Sequence, residues 1–368
     1  VAATYSLVLS EDAGIKQGRF LDELEFIEEG PRQSRSVSGE ELDGRLLTDL
    51  SKIQGSDLTT PNDRFYIRTR ASLLLPTGKP SSILVAGSGK SIEVSTKSLR
   101  SEAEPMGLHV LECSGNSRSV RFGLISAAEW HGVPLVKLLG RAGVDNLSAN
   151  VLVSGFDSYS RDSVRSIPGA EWIFSMRALE RSKAFLATHM NGVSLLRDHG
   201  FPCRLIVPGW YGCCCIKWVD KILAVDTTAL PTSQMIEYAS RTHQHGVPKL
   251  ARDYEAATID TAALPIRVER WLIRQRVMIR VVGISWGGKQ PPNGLVIKFG
   301  TGTAHMPVEQ VYPVLKPGGW TVWTHSWKPI QAGRYVIYLR LTNAEERARR
   351  LNAGYYDRTI ELKNHELQ

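Results

Sequence analysis

Beyond about Ala262 the chain stops offering helical periodicity. Val277–Ile284, Leu295–Phe299, Trp320–Thr324 and Arg334–Leu341 are short runs rich in β-branched and aromatic residues. They are separated by Gly287-Gly288, Pro291-Pro292-Asn293 and Pro317-Gly318-Gly319. Glycine reaches positive φ without penalty and proline holds φ near one value, so turns belong at these clusters and strands between them. Short strands at such spacing, with almost no helix, predict a β-sandwich. Ala344–Leu351 reads as a charged helical turn or two, and Trp320, Trp323 and Trp327 read as sandwich core or interface.

The preceding part has another texture. From Phe65 on, short strands at Ser82–Ala86, His109–Glu112, Val151–Ser154 and Arg204–Val207 alternate with helical patterns. One such pattern is Val133–Leu139, where Val133, Val136 and Leu139 recur at helical spacing. That is mixed α+β. A chain of 368 residues exceeds what one hydrophobic core usually serves. The expected organisation is a polar lead-in over 1–60 with two or three short helical pieces, a mixed α+β domain over 61–258, and the β-rich domain over 259–368.

Composition narrows the function classes. Apolar residues at 42% and charged residues at 22% argue against long disorder. The apolar runs are too short to span a bilayer. The formal charge is +8, but Lys and Arg are spread along the chain without a basic block, which favours a focused anion site over nucleic acid. The five cysteines fit neither a zinc pattern nor a disulfide framework, and without C-x-x-C-H no c-type haem is expected on this chain. A start at Val1 fits a trimmed leader, so an exported, periplasmic location is the expectation, with the cytoplasm as alternative.

Three segments carry chemistry. Gly87-Ser88-Gly89-Lys90-Ser91 resembles the end of a phosphate loop, but Leu84 stands where that motif needs glycine, and Ser91–Ser95 reads as a strand, so a hairpin turn is expected. In His109-Val110-Leu111-Glu112-Cys113-Ser114-Gly115-Asn116-Ser117-Arg118 an alternating strand ends in a cysteine, with an arginine five residues on. A thiol with a cation nearby has reason to ionise, although a lone cysteine is more often an inert buried one. Finally, Arg197-Asp198-His199-Gly200-Phe201-Pro202-Cys203-Arg204 runs through a buried strand and Val207-Pro208-Gly209 to Lys217-Trp218. His199, Arg204 and Lys217 are donors able to converge on a phosphate and a polar ring, though each alone would read as a surface charge.

Cys113-x-Gly-Asn-x-Arg, Asp-His-Gly-x-Pro-x-Arg and Val-Pro-Gly…Lys-Trp, in this order over about Phe65 to Trp218, resemble the sulfite oxidase family. The resemblance implies a molybdopterin domain of mixed α+β fold followed by an immunoglobulin-like β-sandwich that serves dimerisation. It makes Cys113 the thiolate that binds molybdenum, a soft ligand suited to such a metal. It makes Arg68 an arginine between pterin and substrate anion. Asp157, His199, Arg204 and Lys217 match pterin contacts, with Cys215 and Ile216 as backbone donors and Phe65 and Tyr66 beside Arg68. Tyr238 matches the active-site tyrosine, and Arg118 and Trp130 match residues around the pocket entrance.

Two departures bear on the substrate. Arg70 stands where the family's Arg-x-His pattern has histidine, and Lys289, in Trp286-Gly287-Gly288-Lys289, stands for a second-domain arginine and loses its bidentate fork. The implied activity is molybdenum-dependent oxygen-atom transfer from sulfite to sulfate, with electrons leaving to an external acceptor such as cytochrome c. The alternatives are another sulfur compound, an S- or N-oxide, or a molybdopterin carrier. His243-Gln244-His245 reads as a loop, and Cys213-Cys214-Cys215 as a packed turn, since adjacent cysteines rarely form a comfortable disulfide.

Overall fold

The computed structural model describes residues 18–31, 36–39, 43–53, 58–71, 82–156, 169–288, 290–300, 303–311 and 318–367. Asp157 and Lys289 fall outside the described residues. Four five-stranded sheets organise the described residues. In the front part, one sheet runs Glu104–Glu112, Ile125–Pro134, Phe185–Met190 and Val193–Ser194, with Arg204–Ile206 also pairing to Phe185–Met190. The other runs Ser91–Ser95, Ser82–Ala86, Val219–Val225, Asn150–Gly155 and Glu171–Ser175, where Ser82–Ala86 and Val219–Val225 are parallel and the remaining pairs antiparallel. Short helices, among them Leu135–Arg141 and Met176–Arg181, lie between strands. The phosphate-loop look-alike is a hairpin: Gly87 N–H donates to Lys90 O at 2.8 Å between paired strands.

The remaining sheets are wholly antiparallel, Arg19–Leu24, Ala262–Ile273, Arg276–Trp286, Thr321–Trp327 and Gln310–Val311 in one, Met306–Pro307, Leu295–Phe299, Gly333–Leu341, Arg358–Leu362 and Phe26–Ile27 in the other. They share one core, in which Phe299 stacks on Trp327 with ring centroids 4.3 Å apart and Trp320 and Trp323 are fully buried.

The helical pieces expected in the lead-in are strands among the described residues, apart from the single turn Leu50–Lys52. Leu21, Leu24 and Ile27 recur every third residue, which imitates a helix locally. What decides is a partner found late in the chain. Asp22 holds the Arg270 guanidinium across the Arg19–Leu24/Ala262–Ile273 pair. Arg358 takes both oxygens of buried Glu29 at 2.6 Å and lies 3.5 Å from the Phe26 ring centroid.

One strand joins the two cores. Along Glu104–Glu112 successive side chains point to opposite faces. Leu108 and Val110 enter the sandwich core, while Leu111 and the following Cys113 enter the front core. Its neighbour repeats the pattern, with Ile125 and Ala127 on one side and Leu124, Ala128 and Trp130 on the other. Period-two alternation with both faces apolar is what a strand between two cores requires, and it delivers Cys113 to the edge of a cleft.

Candidate active site

Cys113 stands one residue past the end of its strand, 5% exposed, at a cleft of about 940 Å³ that includes some open solvent. Around the cleft are Phe65, Tyr66, Arg68, His199, Arg204, Cys215, Ile216, Lys217 and Tyr238. Ten of the expected site residues, Cys113 among them, are therefore brought together from segments as far apart in sequence as Phe65 and Tyr238. Burial pushes the Cys113 thiol up, against the Gly115 N–H that donates to Sγ at 3.4 Å and against the charge of Arg68.

The Asp-His-Gly turn explains itself geometrically. Arg197–His199 is a single 3₁₀ turn that ends at Gly200, whose φ of +105° few L side chains adopt. A Cβ there would come within 2.9 Å of the Arg204 Cβ and 3.2 Å of the Lys217 Cβ. Glycine thus lets three donors close around one corner. The His199 ring is buried, its Nε2 lies 3.0 Å from Asn62 O, and burial pushes its pKa down to about 4. It is a neutral ring at pH 7, donating from Nε2, which leaves Nδ1 as an acceptor.

Arg204 is buried at 6% exposure, donating to His199 O at 3.3 Å and Cys215 O at 3.1 Å. Its Nε is buried without a partner. A buried guanidinium N–H left unbonded is costly unless a ligand completes it. Lys217 reaches Thr69 O and, at 3.0 Å, Asp198 O, with its ammonium 4.2 Å from the Trp218 ring centroid. Trp218 itself holds a φ of +56°, an outlier for so bulky a residue, with its indole N–H bound to Arg197 O at 2.9 Å. On the other wall Gly212 lies so close to Tyr66 that a Cβ would fall 2.5 Å from the phenol oxygen. An unbonded Arg204 N–H, a buried thiol, neutral His199 and cationic Lys217 suit an anionic pterin and a soft metal.

The structure moves three of the expected residues. Arg118 leaves the cleft: its guanidinium donates to Asp357 O, on the sandwich side, because Arg118–Val120 is a turn that faces the C-terminal strands. Trp130 is 1% exposed and lies behind the wall rather than at the entrance, edge-on to Phe65 at 6.0 Å and 5.6 Å from the Arg204 guanidinium. Its parity on the strand Ile125–Pro134 sends it into the front core. Arg70 turns to Asp198, with Nε 3.3 Å from the carboxylate. The triple cysteine is a packed turn with Cys213 and Cys214 sulfurs 3.9 Å apart, too far for a bond, and all five cysteines are free thiols.

Four residues near Cys113 were not legible beforehand. Glu112 is fully buried on the opposite face of the same strand, accepting from Trp286 Nε1 at 2.7 Å, Tyr356 OH at 3.2 Å and Asn116 Nδ2 at 3.3 Å. Arg350, arriving from the C-terminal helix Arg349–Asn352, donates to Ser114 O at 3.0 Å and Arg241 O at 2.8 Å. Arg241 and Arg45 are the other two. Only the uncharged, alternating texture around Glu112 gave any signal, since a charge at a buried strand position asks for a partner.

Residues 82–231 match the family model described as oxidoreductase molybdopterin binding domain. Mitochondrial sulfite oxidase of Rattus norvegicus is 32% identical over 181 residues, which cover 44% of this chain and 32% of that protein. Mitochondrial sulfite oxidase of Homo sapiens is 29% identical over 221 residues, covering 55% of this chain and 38% of that protein. The chain therefore spans about a third of the length of these curated relatives. Among solved structures, the sulfane dehydrogenase SoxCD of Paracoccus pantotrophus superposes with a TM-score of 0.64 at 17% identity, over 86% of this chain and 80% of that one, which shows a shared fold. The cleft and the matched segment define a molybdopterin-binding oxidoreductase domain. Over that part the chain is similar to sulfite oxidases.

Proposed function

We propose that this protein oxidises sulfite to sulfate with molybdenum held by Cys113 and passes the electrons to an external acceptor such as a cytochrome c. The observation that carries this reading is the placement of a buried thiol, Arg68 and Tyr238 around one cleft whose far wall is Arg204, His199 and Lys217. When bound, molybdenum and its pterin supply the two-electron change and the site of oxygen exchange. Overall, sulfite and water give sulfate, two protons and two electrons.

The chain's own groups do the rest. Arg204 Nε, His199 Nδ1 and Lys217 bind and orient the pterin and its phosphate, since each is anchored by carbonyls or rings that fix its direction. Arg68 draws in the anion and holds it beside Cys113. Burial raises the Tyr238 phenol pKa, so it stays protonated near neutral pH and donates a hydrogen bond into the cleft. Asp157 and Lys289 remain candidates for a pterin contact and a substrate cation. The antiparallel sandwich is the proposed immunoglobulin-like dimer interface, and an exported location is part of the same reading. No helix among the described residues is long and apolar enough to cross a membrane.

The experiment is sulfite-dependent reduction of ferricyanide by protein of known molybdenum content, with Cys113→Ala alongside. Turnover that tracks metal content in the wild type and is lost with Cys113→Ala supports the reading. A metal-loaded protein that ignores sulfite overturns it and sends the search to other sulfur oxyanions and to S- and N-oxides.

A further inference from the structure

Three consecutive carbonyls of one short turn are each taken by a side-chain donor. In Arg197–His199 the Trp218 indole N–H donates to Arg197 O at 2.9 Å, Lys217 Nζ to Asp198 O at 3.0 Å and Arg204 Nη1 to His199 O at 3.3 Å. The His199 ring is fixed as well, by Asn62 O at 3.0 Å and by edge-on packing against Phe65. The Asp198 backbone therefore has little freedom, and its carboxylate leaves the turn in a set direction.

That carboxylate meets the segment that carries Arg68. One oxygen accepts from the Ala71 N–H at 2.8 Å and the other from Arg70 Nε at 3.3 Å. Lys217 Nζ donates to Thr69 O as well as to Asp198 O, so one ammonium spans the turn and the segment. The other end of the segment is pinned at Ile67, which exchanges two backbone hydrogen bonds with Leu46, at 2.9 and 3.0 Å. The Tyr66 N–H adds a bond to Ser126 Oγ at 2.9 Å. Arg68 is thus held between two fastenings, and it lines the same cleft as Cys113 and Asp198. Arg70 has 45% of its side chain exposed, so its ion pair adds little, and the bond from the Ala71 N–H is the stronger hold.

We infer that Asp198 is a positioning residue for Arg68, carrying the fixed geometry of the Arg197–His199 turn over to the segment of the substrate arginine. This deepens the proposed function and rests on it for the contact between Arg68 and the anion. The sign of the effect separates positioning from plain electrostatics. Asp198 brings a negative charge to the cleft wall, which by itself disfavours an anionic substrate. Removing it tightens anion binding if charge alone matters, and weakens it if Arg68 loses its place.

The test uses molybdenum-quantified holoenzyme, with sulfate as an inert oxyanion probe in calorimetry. Asp198→Ala should weaken sulfate about tenfold, and KM for sulfite should rise by a similar factor while kcat changes less than about threefold. Asp198→Asn keeps an acceptor for the Ala71 N–H, so its sulfate affinity should stay within about threefold of wild type. In an Arg68→Gln background, Asp198→Ala should add less than about twofold, because the arginine through which it acts is gone. Should Asp198→Ala retain no metal, Asp198→Glu, which keeps the charge but shifts the acceptor by one methylene, should weaken sulfate by at least about threefold. Sulfate bound as tightly as by the wild type, or more tightly, in the variant that holds metal overturns the inference. Full additivity with Arg68→Gln, or no sulfate binding by the wild type, overturns it too. Sulfate affinity that needs Asp198 only when Arg68 is present, in an enzyme that leaves sulfite unchanged, would sustain the positioning role and reject the sulfite reading.

Discussion

Glu112 and Trp286 meet through a 2.7 Å hydrogen bond, indole N–H to carboxylate, with both side chains fully out of solvent. Glu112 precedes Cys113, and Trp286 ends the long strand Arg276–Trp286 of the sandwich. The bond ties the metal-binding candidate's backbone to the C-terminal sheets. Tyr356 and Asn116 complete the carboxylate's shell, and burial pushes its pKa up. Glu112→Ala strands three donors and should cost about 2–4 kcal/mol of unfolding free energy. Glu112→Gln keeps an acceptor for Trp286 without the buried charge, so its loss should be well under half of that. Urea denaturation of the two variants checks the order.

His199 makes stability depend on pH. Its pKa is about 4 when folded and close to 6.5 when exposed, so below pH 6.5 the unfolded chain takes up a proton that the folded one refuses. Stability from this residue is full above pH 6.5 and falls as pH drops towards 4, by up to about 3 kcal/mol. The stability gap between wild type and His199→Gln should therefore shrink on acidification over that window. Equilibrium unfolding at several pH values tests it, and an unchanging gap would refute it.

Gly200→Ala forces a side chain onto a φ of +105° and against the Arg204 and Lys217 Cβ atoms. The cost should be about 1–3 kcal/mol, together with lower molybdenum and pterin content as the donor corner opens. Metal analysis beside thermal melting separates the two effects.

Glu29→Ala leaves Arg358 charged and only 5% exposed, without its two 2.6 Å partners. Breaking a buried pair from one side should cost about 3–5 kcal/mol. Replacing Glu28, whose partner Arg334 is 63% exposed, should cost well below about 1 kcal/mol. Equal effects from the two would mean that the N-terminal strands are not held as the sheet pairing indicates.

Much of the site was legible because its residues come in short, tight turns. Cys113 at the end of an alternating strand, Gly200 between His199 and Arg204, and Lys217-Trp218 after Val207-Pro208-Gly209 are all local patterns, and the cleft gathers them. Arg118 read equally well and was misplaced, since the sequence carries nothing about which way a turn faces. Arg241 and Arg350 are unremarkable arginines until a turn and a helix end bring them beside the Cys113 loop.

By itself the sequence determined the alternation of apolar residues that makes strands, the glycines and prolines that end them, and the short turns that carry Cys113, His199, Arg204 and Lys217. These follow from interactions among residues a few positions apart. The tertiary structure alone decided that Arg19–Leu24 is a strand of the sandwich and that Glu112 is sealed by Trp286 and Tyr356. It alone decided which arginines face the cleft. Such outcomes depend on partners about 170 to 250 residues away, whose position is fixed only when the cores close around them.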